Sequence, residues 1–327
     1  MKKFVFLALA VFTASAVNAA DKKVIEMKLG HFGPDGHPAQ IAAQQFADNV
    51  QKRTNGAIKV TIYPNNALGN PPEVLEQCIL GAIDMSLSGQ DQIAKYSQKF
   101  LCVGIPFAYK SYSHVDHVLD GPFIKWAAPD LDKQGLVYLS NWEWGFRNLT
   151  NSKHPVNKPE DVKGLKIRTP PAIANAETFK ALGGIVQTIQ FSELVMAMKQ
   201  GVVDGQENPI AVIHSLKLNE SQKYLAMINY NYSSMVHVIS KKTWNRMTPE
   251  QQKIVKEESQ KAGLLMRKLV RDQEKTQIED LKKGGMQITY PDVSKFRAKM
   301  GPAWDAMKKL VGEKNFKEFM DMCDKTK

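Results

Sequence analysis

Glu193-Leu194-Val195-Met196-Ala197-Met198-Lys199-Gln200-Gly201-Val202-Val203-Asp204-Gly205-Gln206-Glu207-Asn208-Pro209 reads as a helix, its stop and the strand that follows. Ser192 stands where an N-cap belongs, since its hydroxyl can accept from an orphaned backbone N–H. The helix runs to Gln200, Gly201 ends it, and Val202-Val203 begins the strand. The same unit occurs 120 residues earlier, as Glu73-Val74-Leu75 followed by Gly81-Ala82-Ile83-Asp84. Two similarly built α/β lobes in one chain explain the match. Chance recurrence of a common helix–glycine–strand unit is the competing explanation.

The surroundings of both units favour lobes. Ile25, Met27 and Leu29 alternate with charged residues, a strand signal, and Ala42/Ala43, Phe46 and Val50 then recur at helical spacing up to Asn55-Gly56. Ile58, Val60 and Ile62 form a second strand. Pro72 to Leu80 is a helix, and Ile83 to Leu87 a third strand. A β-α-β-α-β run predicts a parallel sheet covered by helices. In the second half, Leu165-Lys166-Ile167-Arg168 is a strand and Ala172 to Leu182 a helix ended by Gly183-Gly184. Thr248-Pro249-Glu250 opens a helix with no strong breaker before Gly284-Gly285. At 1.5 Å per residue it is ~50 Å long, enough to span both lobes. Ser259 and Gly263 are its soft positions, and Gly263→Ala is expected to raise helix stability. No linker is long enough to make the lobes independent, so they are expected to exchange strands.

The length of 327 residues favours two domains. Hydrophobic residues at 43% and charged residues at 24% exclude a disordered chain and a collagen. Met1-Lys2-Lys3, the apolar run Phe4 to Phe12 and the small residues of Val17-Asn18-Ala19-Ala20 read as a cleaved secretory signal peptide over 1–20. The apolar run is far short of the ~20 residues that cross a bilayer. The mature chain is therefore expected outside the cytoplasm. Cys78, Cys102 and Cys323 are too few for a disulfide framework, and the odd count leaves a free thiol. Cys78 and Cys102 lie in apolar runs and read as buried packing, with a bridge between them left open.

No nucleophile elbow, zincin, Walker loop or G-x-G-x-x-G occurs. His114-Val115-Asp116-His117 is the nearest metal candidate, but it reads better as a solvated helix start after Ser113. No metal or cofactor is expected. The +11 charge comes from lysines scattered among acids, without a basic aromatic stripe, so nucleic acid is not an expected partner. A positive field favours small anions. Arg168 ends a strand, where ligands of open α/β sheets bind. Arg147 follows the aromatic run Trp142-Glu143-Trp144-Gly145-Phe146. A guanidinium at such a place grips a carboxylate bidentately. Surface salt bridging is the plainer alternative for either arginine. The amides of Gln206 and Asn208 either hydrogen-bond a ligand or cap the helix from Ile210.

Gly164-Leu165-Lys166-Ile167-Arg168-Thr169-Pro170, Glu177 to Gly184, Phe191-Ser192-Glu193 and Gln200 to Pro209 together resemble the solute receptors of tripartite ATP-independent periplasmic (TRAP) transporters, the DctP-like group. Tyr63-Pro64 to Leu68-Gly69 and Gly145-Phe146-Arg147 match too, so the resemblance covers the mature chain. It implies a two-lobed α/β periplasmic binding protein fold, with crossing strands and a long lobe-spanning helix. The first lobe would hold 21–145 and about 234–273, the second 146–233 and about 274–327. It implies that Arg168 holds a ligand carboxylate, Arg147 assists, Asn208 contacts the ligand and Phe191 packs on it. Trp144, Phe32, Pro171 and Gln90 complete the candidate site. Sialic-acid receptors carry asparagine where Pro171 stands and acidic or amide groups at Phe32 and Gly89, which argues against sialic acid here. Trp142, Trp144, Phe146 and Phe32 favour a smaller or less polar aromatic, keto or hydroxy acid.

The expectation is a monomeric periplasmic receptor that captures a carboxylate, hands it to a membrane permease and catalyses nothing. A secreted enzyme on the same substrates would need a base, and Glu143 and Glu207 are the acids beside the site. A ligand sensor is the third reading, though no signalling domain is encoded.

Overall fold

A computed structural model describes residues 24–326; the expected signal peptide lies outside the described residues. Among the described residues, nine strands form one mixed sheet in the order β2-β1-β3-β8-β4-β7-β5-β6, with β9 added beside β8. They are β1 (Ile25–His31), β2 (Ile58–Tyr63), β3 (Met85–Gly89), β4 (Leu136–Asn151), β5 (Lys166–Thr169), β6 (Ile185–Thr188), β7 (Gly205–Asn208), β8 (Tyr224–Ser240) and β9 (Gln287–Thr289). Each half has its first strand in the middle: β1 lies parallel between β2 and β3, and β5 lies parallel between β6 and β7.

The repeated unit has the same work in both halves. Gly81 and Gly201 close their helices with φ of 83° and 70°, a region L side chains avoid. Asp84 then accepts a hydrogen bond from Lys28 N in β1, and Asp204 accepts one from Lys166 N in β5, each at 2.9 Å. Each aspartate thereby pins the central strand of its half to the turn before the third strand. The local readings shift slightly. Val202 and Val203 belong to the turn, and the strand begins at Gly205, as β3 begins at Met85 rather than Ile83. Ser192 caps nothing, because Phe191–Glu193 forms a 3-10 turn that leads into the helix Leu194–Lys199.

β4 and β8 are the crossing strands. They pair antiparallel from Leu136↔Ser240 to Asn151↔Tyr224. β3 joins one end of β8 and β7 the other end of β4. The register shifts between Glu143↔Ser234 and Gly145↔Ser233, which leaves Trp144 as the extra residue. Gly145 there has φ +122°, and a Cβ on it would lie 3.1 Å from Pro209 Cβ.

Helices cover both faces of the sheet. In the first half, Phe46 and Val50 of the helix Pro38–Arg53 pack with Met27, Leu29, Met266 and Val270, and Leu75, Phe100 and Phe123 fill the other face. In the second half, Ile167, Phe179 and Tyr230 pack on Phe296 and Met300, while Met198, Ile213 and Leu225 meet Leu281. The C-terminal helix Glu313–Lys325 buries Phe319 and Cys323 against Phe100, Cys102 and Val118. All three cysteines are free and buried, so Cys78 and Cys102 form no bridge. His114 sits inside a helix capped by Ser111, not Ser113, and its Nε2 meets Cys323 O at 2.8 Å.

The long helix is Pro249–Lys283, opened by Thr248 accepting from Gln251 N. It reaches from the first half's core at Val255 to the second's at Leu281. Its middle is not soft. Ser259 Oγ lies 2.5 Å from Ser140 Oγ and 2.7 Å from His237 Nδ1, and Trp142 Nε1 donates to Ser259 O at 3.1 Å. Gly263 is there because Trp142 is: a Cβ would fall 2.8 Å from Trp142 Cδ1 and 3.1 Å from Asn141 O. This crowding argues against the expected gain from Gly263→Ala. One turn further on, Arg267 binds Asp120 and Asn141 O, and a turn beyond it Arg271 binds Glu143 and Asp116.

Candidate functional site

A cavity of about 250 Å³ lies between the halves, at the carboxyl ends of β1, β3 and β5. All eight residues named from the sequence line it: Phe32, Gln90, Trp144, Arg147, Arg168, Pro171, Phe191 and Asn208. They come from segments far apart in the chain, so only the sheet brings them together.

Arg168 is fully buried on β5. Its Nε donates to Ile189 O at 2.9 Å, which fixes the plane of the guanidinium. Both terminal nitrogens are sealed from solvent with no partner. Burial pushes its pKa down to about 9, Glu207 pulls it up and Arg147 pushes it down again. At neutral pH it keeps its charge, and two forked donors facing the cavity stand ready for a carboxylate.

Arg147 is placed differently. Burial opposes its charge, but Glu207 more than offsets this, and the pKa is raised. Its Nη2 donates to Glu207 Oε1 at 3.0 Å, Glu207 O at 2.8 Å and Asn208 Oδ1 at 3.1 Å, and its Nε also binds Glu207. Nη1 reaches only Ser233 Oγ, at 3.3 Å. Tyr230 and Asn175 donate to the remaining surface of Glu207. Asn208 is held as well: it donates to Gln206 Oε1 at 2.6 Å and accepts from Trp144 Nε1 at 3.4 Å. Gln206 in turn donates to Thr150 Oγ1 at 2.9 Å, so it supports Asn208 and does not reach the cavity. Pro209, not Asn208, occupies the cap of the helix Ile210–Ser215.

The apolar wall is built from rings. Phe32 lies 4.6 Å from Trp144 and 6.0 Å from Phe191, and Trp144 lies 5.9 Å from Phe191. Phe32 follows β1 and Phe191 follows β6, so their edge contact joins the two halves beside the cavity. Trp142 and Phe146 do not contribute. Trp142 packs on His237, and Phe146 on Tyr112 and Tyr232.

Sequence reading missed Asp91, Gln92, Asn70 and Lys95, which line the wall from the first half, and Gln190 and Ser234. Their signal was position, since Gln90-Asp91-Gln92 follows the carboxyl end of β3 directly. Asp91 also corrects the inventory of acids beside the site, taken as Glu143 and Glu207. Glu143 is consumed by Arg271 and Tyr232, and Glu207 by Arg147, Tyr230 and Asn175. Neither is free to act as a base.

Comparisons with known proteins agree with this fold. The family model "Bacterial extracellular solute-binding protein, family 7" (DctP) matches residues 29–310. The chain is 33% identical over 280 residues to the 2,3-diketo-L-gulonate-binding periplasmic protein YiaO of Escherichia coli, covering 86% of this chain and 84% of that one. It superposes with TM-score 0.86 and 33% identity on a TRAP periplasmic solute-binding protein from Polaromonas bound to D-erythronate, covering 90% and 98% of the two chains. The sugar-acid-binding protein of Advenella mimigardefordensis in complex with galactonate matches with TM-score 0.89 and 29% identity over 93% of this chain and 99% of that one. A family model over most of the chain and relatives of this identity and coverage show that the chain belongs to the DctP family of TRAP transporter solute-binding proteins.

Proposed function

We propose that this receptor captures a small hydroxylated monocarboxylic acid in the periplasm and delivers it to a TRAP permease in the inner membrane. One observation carries the reading: Arg168 faces the cavity fully buried, with both terminal nitrogens unpartnered. A ligand carboxylate would supply both missing acceptors and the missing counter-charge. The ring wall of Phe32, Trp144 and Phe191 fits the apolar face of a short carbon chain. A cavity of about 250 Å³ suits an acid of few carbons. Erythronate, galactonate and diketogulonate, which the relatives bind, are all of this kind. Pro171 offers no side-chain donor where a sialic-acid site has an amide.

The lobes of this reading are 21–145 with about 234–273, and 146–233 with about 274–327. The register shift at Trp144 and the pair Gly145↔Ser233 support that boundary. The solute-binding role of the family supports binding without catalysis.

Mass spectrometry of ligand released from the denatured protein tests the acid class. Calorimetry with that acid tests the anchor. Arg168→Ala is expected to abolish measurable binding, and Arg168→Lys to restore little, because an ammonium cannot form the fork. Wild-type affinity in the alanine variant would remove Arg168 from the role.

A further inference from the structure

The charges around the cavity do not all cancel. Arg147 is matched by Glu207, and Lys95 at the rim by Glu76 at 2.5 Å. Glu73, on the helix Pro71–Leu80, is turned to the backbone N–H of Asn70 at 2.7 Å. Two charges are left over. One is the guanidinium of Arg168, brought by β5. The other is Asp91, brought by the short helix Gln90–Ile93 that follows β3, whose Oδ1 is sealed from solvent without a partner. They line one cavity from opposite halves of the sheet. On the Asp91 wall, Gln90 Nε2 and Ser234 Oγ also lack partners, while Gln90 Oε1 is fixed by Ser234 N at 2.8 Å.

We propose that Asp91 sets the selectivity of this site by requiring hydroxyl groups at the end of the ligand remote from its carboxylate and rejecting a second carboxylate there. A monoanion neutralises Arg168 and leaves Asp91 as an acceptor. Hydroxyl donors then form charge-assisted hydrogen bonds to it, and Gln90 and Ser234 complete a polar wall that both gives and takes hydrogen bonds. A dianion would set like charges together in a buried site, which supplies the repulsive element that selectivity needs. Burial already pushes the Asp91 carboxyl up to about 6, with Arg147 pulling it down and Glu207 pushing it up, so a further anion beside it is disfavoured.

The inference rests on Arg168 as the carboxylate anchor, and the test separates the two. Two matched pairs serve as probes: D-erythronate with meso-tartrate, and D-galactonate with galactarate. Within each pair the diacid carries a carboxylate in place of the terminal CH₂OH. Calorimetry at pH 7.5 compares the wild type with Asp91→Asn, Asp91→Ser and Arg168→Ala, each checked for folding by its melting temperature. The wild type is expected to prefer the monoacid of at least one pair by tenfold or more. Asp91→Asn is expected to narrow that ratio at least tenfold, chiefly by tighter diacid binding, and Asp91→Ser to narrow it in the same direction. A wild-type preference for the diacids, or an unchanged ratio in both folded Asp91 variants, overturns the inference and leaves the anchor standing. Binding that survives Arg168→Ala overturns the anchor and this inference with it. So does a wild type that binds none of the four acids.

Discussion

Arg147 and Arg168 are both buried in one wall, yet they should answer mutation in opposite ways. Arg147 has a complete set of partners. Arg147→Ala leaves Glu207 buried with only Asn175 and Tyr230, and breaking such a pair costs about 3–5 kcal/mol. Urea unfolding should show that loss, and adding Glu207→Gln should recover much of it by removing the stranded charge. Arg168→Ala removes a charge with no counter-ion and should leave stability unchanged or raised. A loss of stability as large as that of Arg147→Ala would mean that Arg168 is part of the scaffold. Two buried histidines make a second prediction. Burial holds His237 at about 3, and burial together with nearby His31 holds His37 at about 3. Above the ordinary value of 6.5 both are neutral, folded or unfolded. Between 6.5 and about 3 the unfolded chain binds protons that the folded one refuses, so stability falls as pH falls, by up to ~1.4 kcal/mol per pH unit for each histidine. A melting-temperature series from pH 7 to pH 4 should show the decline, and His237→Asn should flatten it.

Among the elements, the long helix shows where local rules stop. Gly263→Ala gains up to ~1 kcal/mol of helix propensity. It also drives a methyl to 2.8 Å from Trp142 and 3.1 Å from the backbone oxygen of Asn141, which cannot swing aside. Overpacking of this kind costs about 1–3 kcal/mol. The variant should therefore be less stable in chemical denaturation, and a more stable one would show that Trp142 yields easily. The helix ends were legible because Thr248, Pro249 and Gly284 act on their own neighbours. The role of Gly263 was not, because it is set by a strand that contacts the helix only after folding. The same division runs through the site. Arg168 and Phe191 stood in recognisable strings. The grip of Glu207 on Arg147 joins residues 60 apart, and no local pattern announces it. Asp91 was hidden for another reason: it sits one residue inside a helix too short to leave a periodic trace.

Across the whole molecule, the two halves repeat one plan, a central first strand flanked by its second and third, and each lends a long strand to the other. That sharing has a consequence for how the chain is made. β3 gains its second neighbour only from residues Met235 to Ile239 of β8, and the core of the second half closes only with Phe296 and Met300. A nascent chain that has not yet reached residue 240 therefore holds no finished half. Pairings so distant in sequence form slowly. A fragment stopping at residue 223 should be digested by protease under conditions that spare the full chain, and its resistance would show that the first half folds alone. Synthesis from the N-terminus therefore leaves the chain uncommitted to its fold until nearly three quarters of its 327 residues have been made.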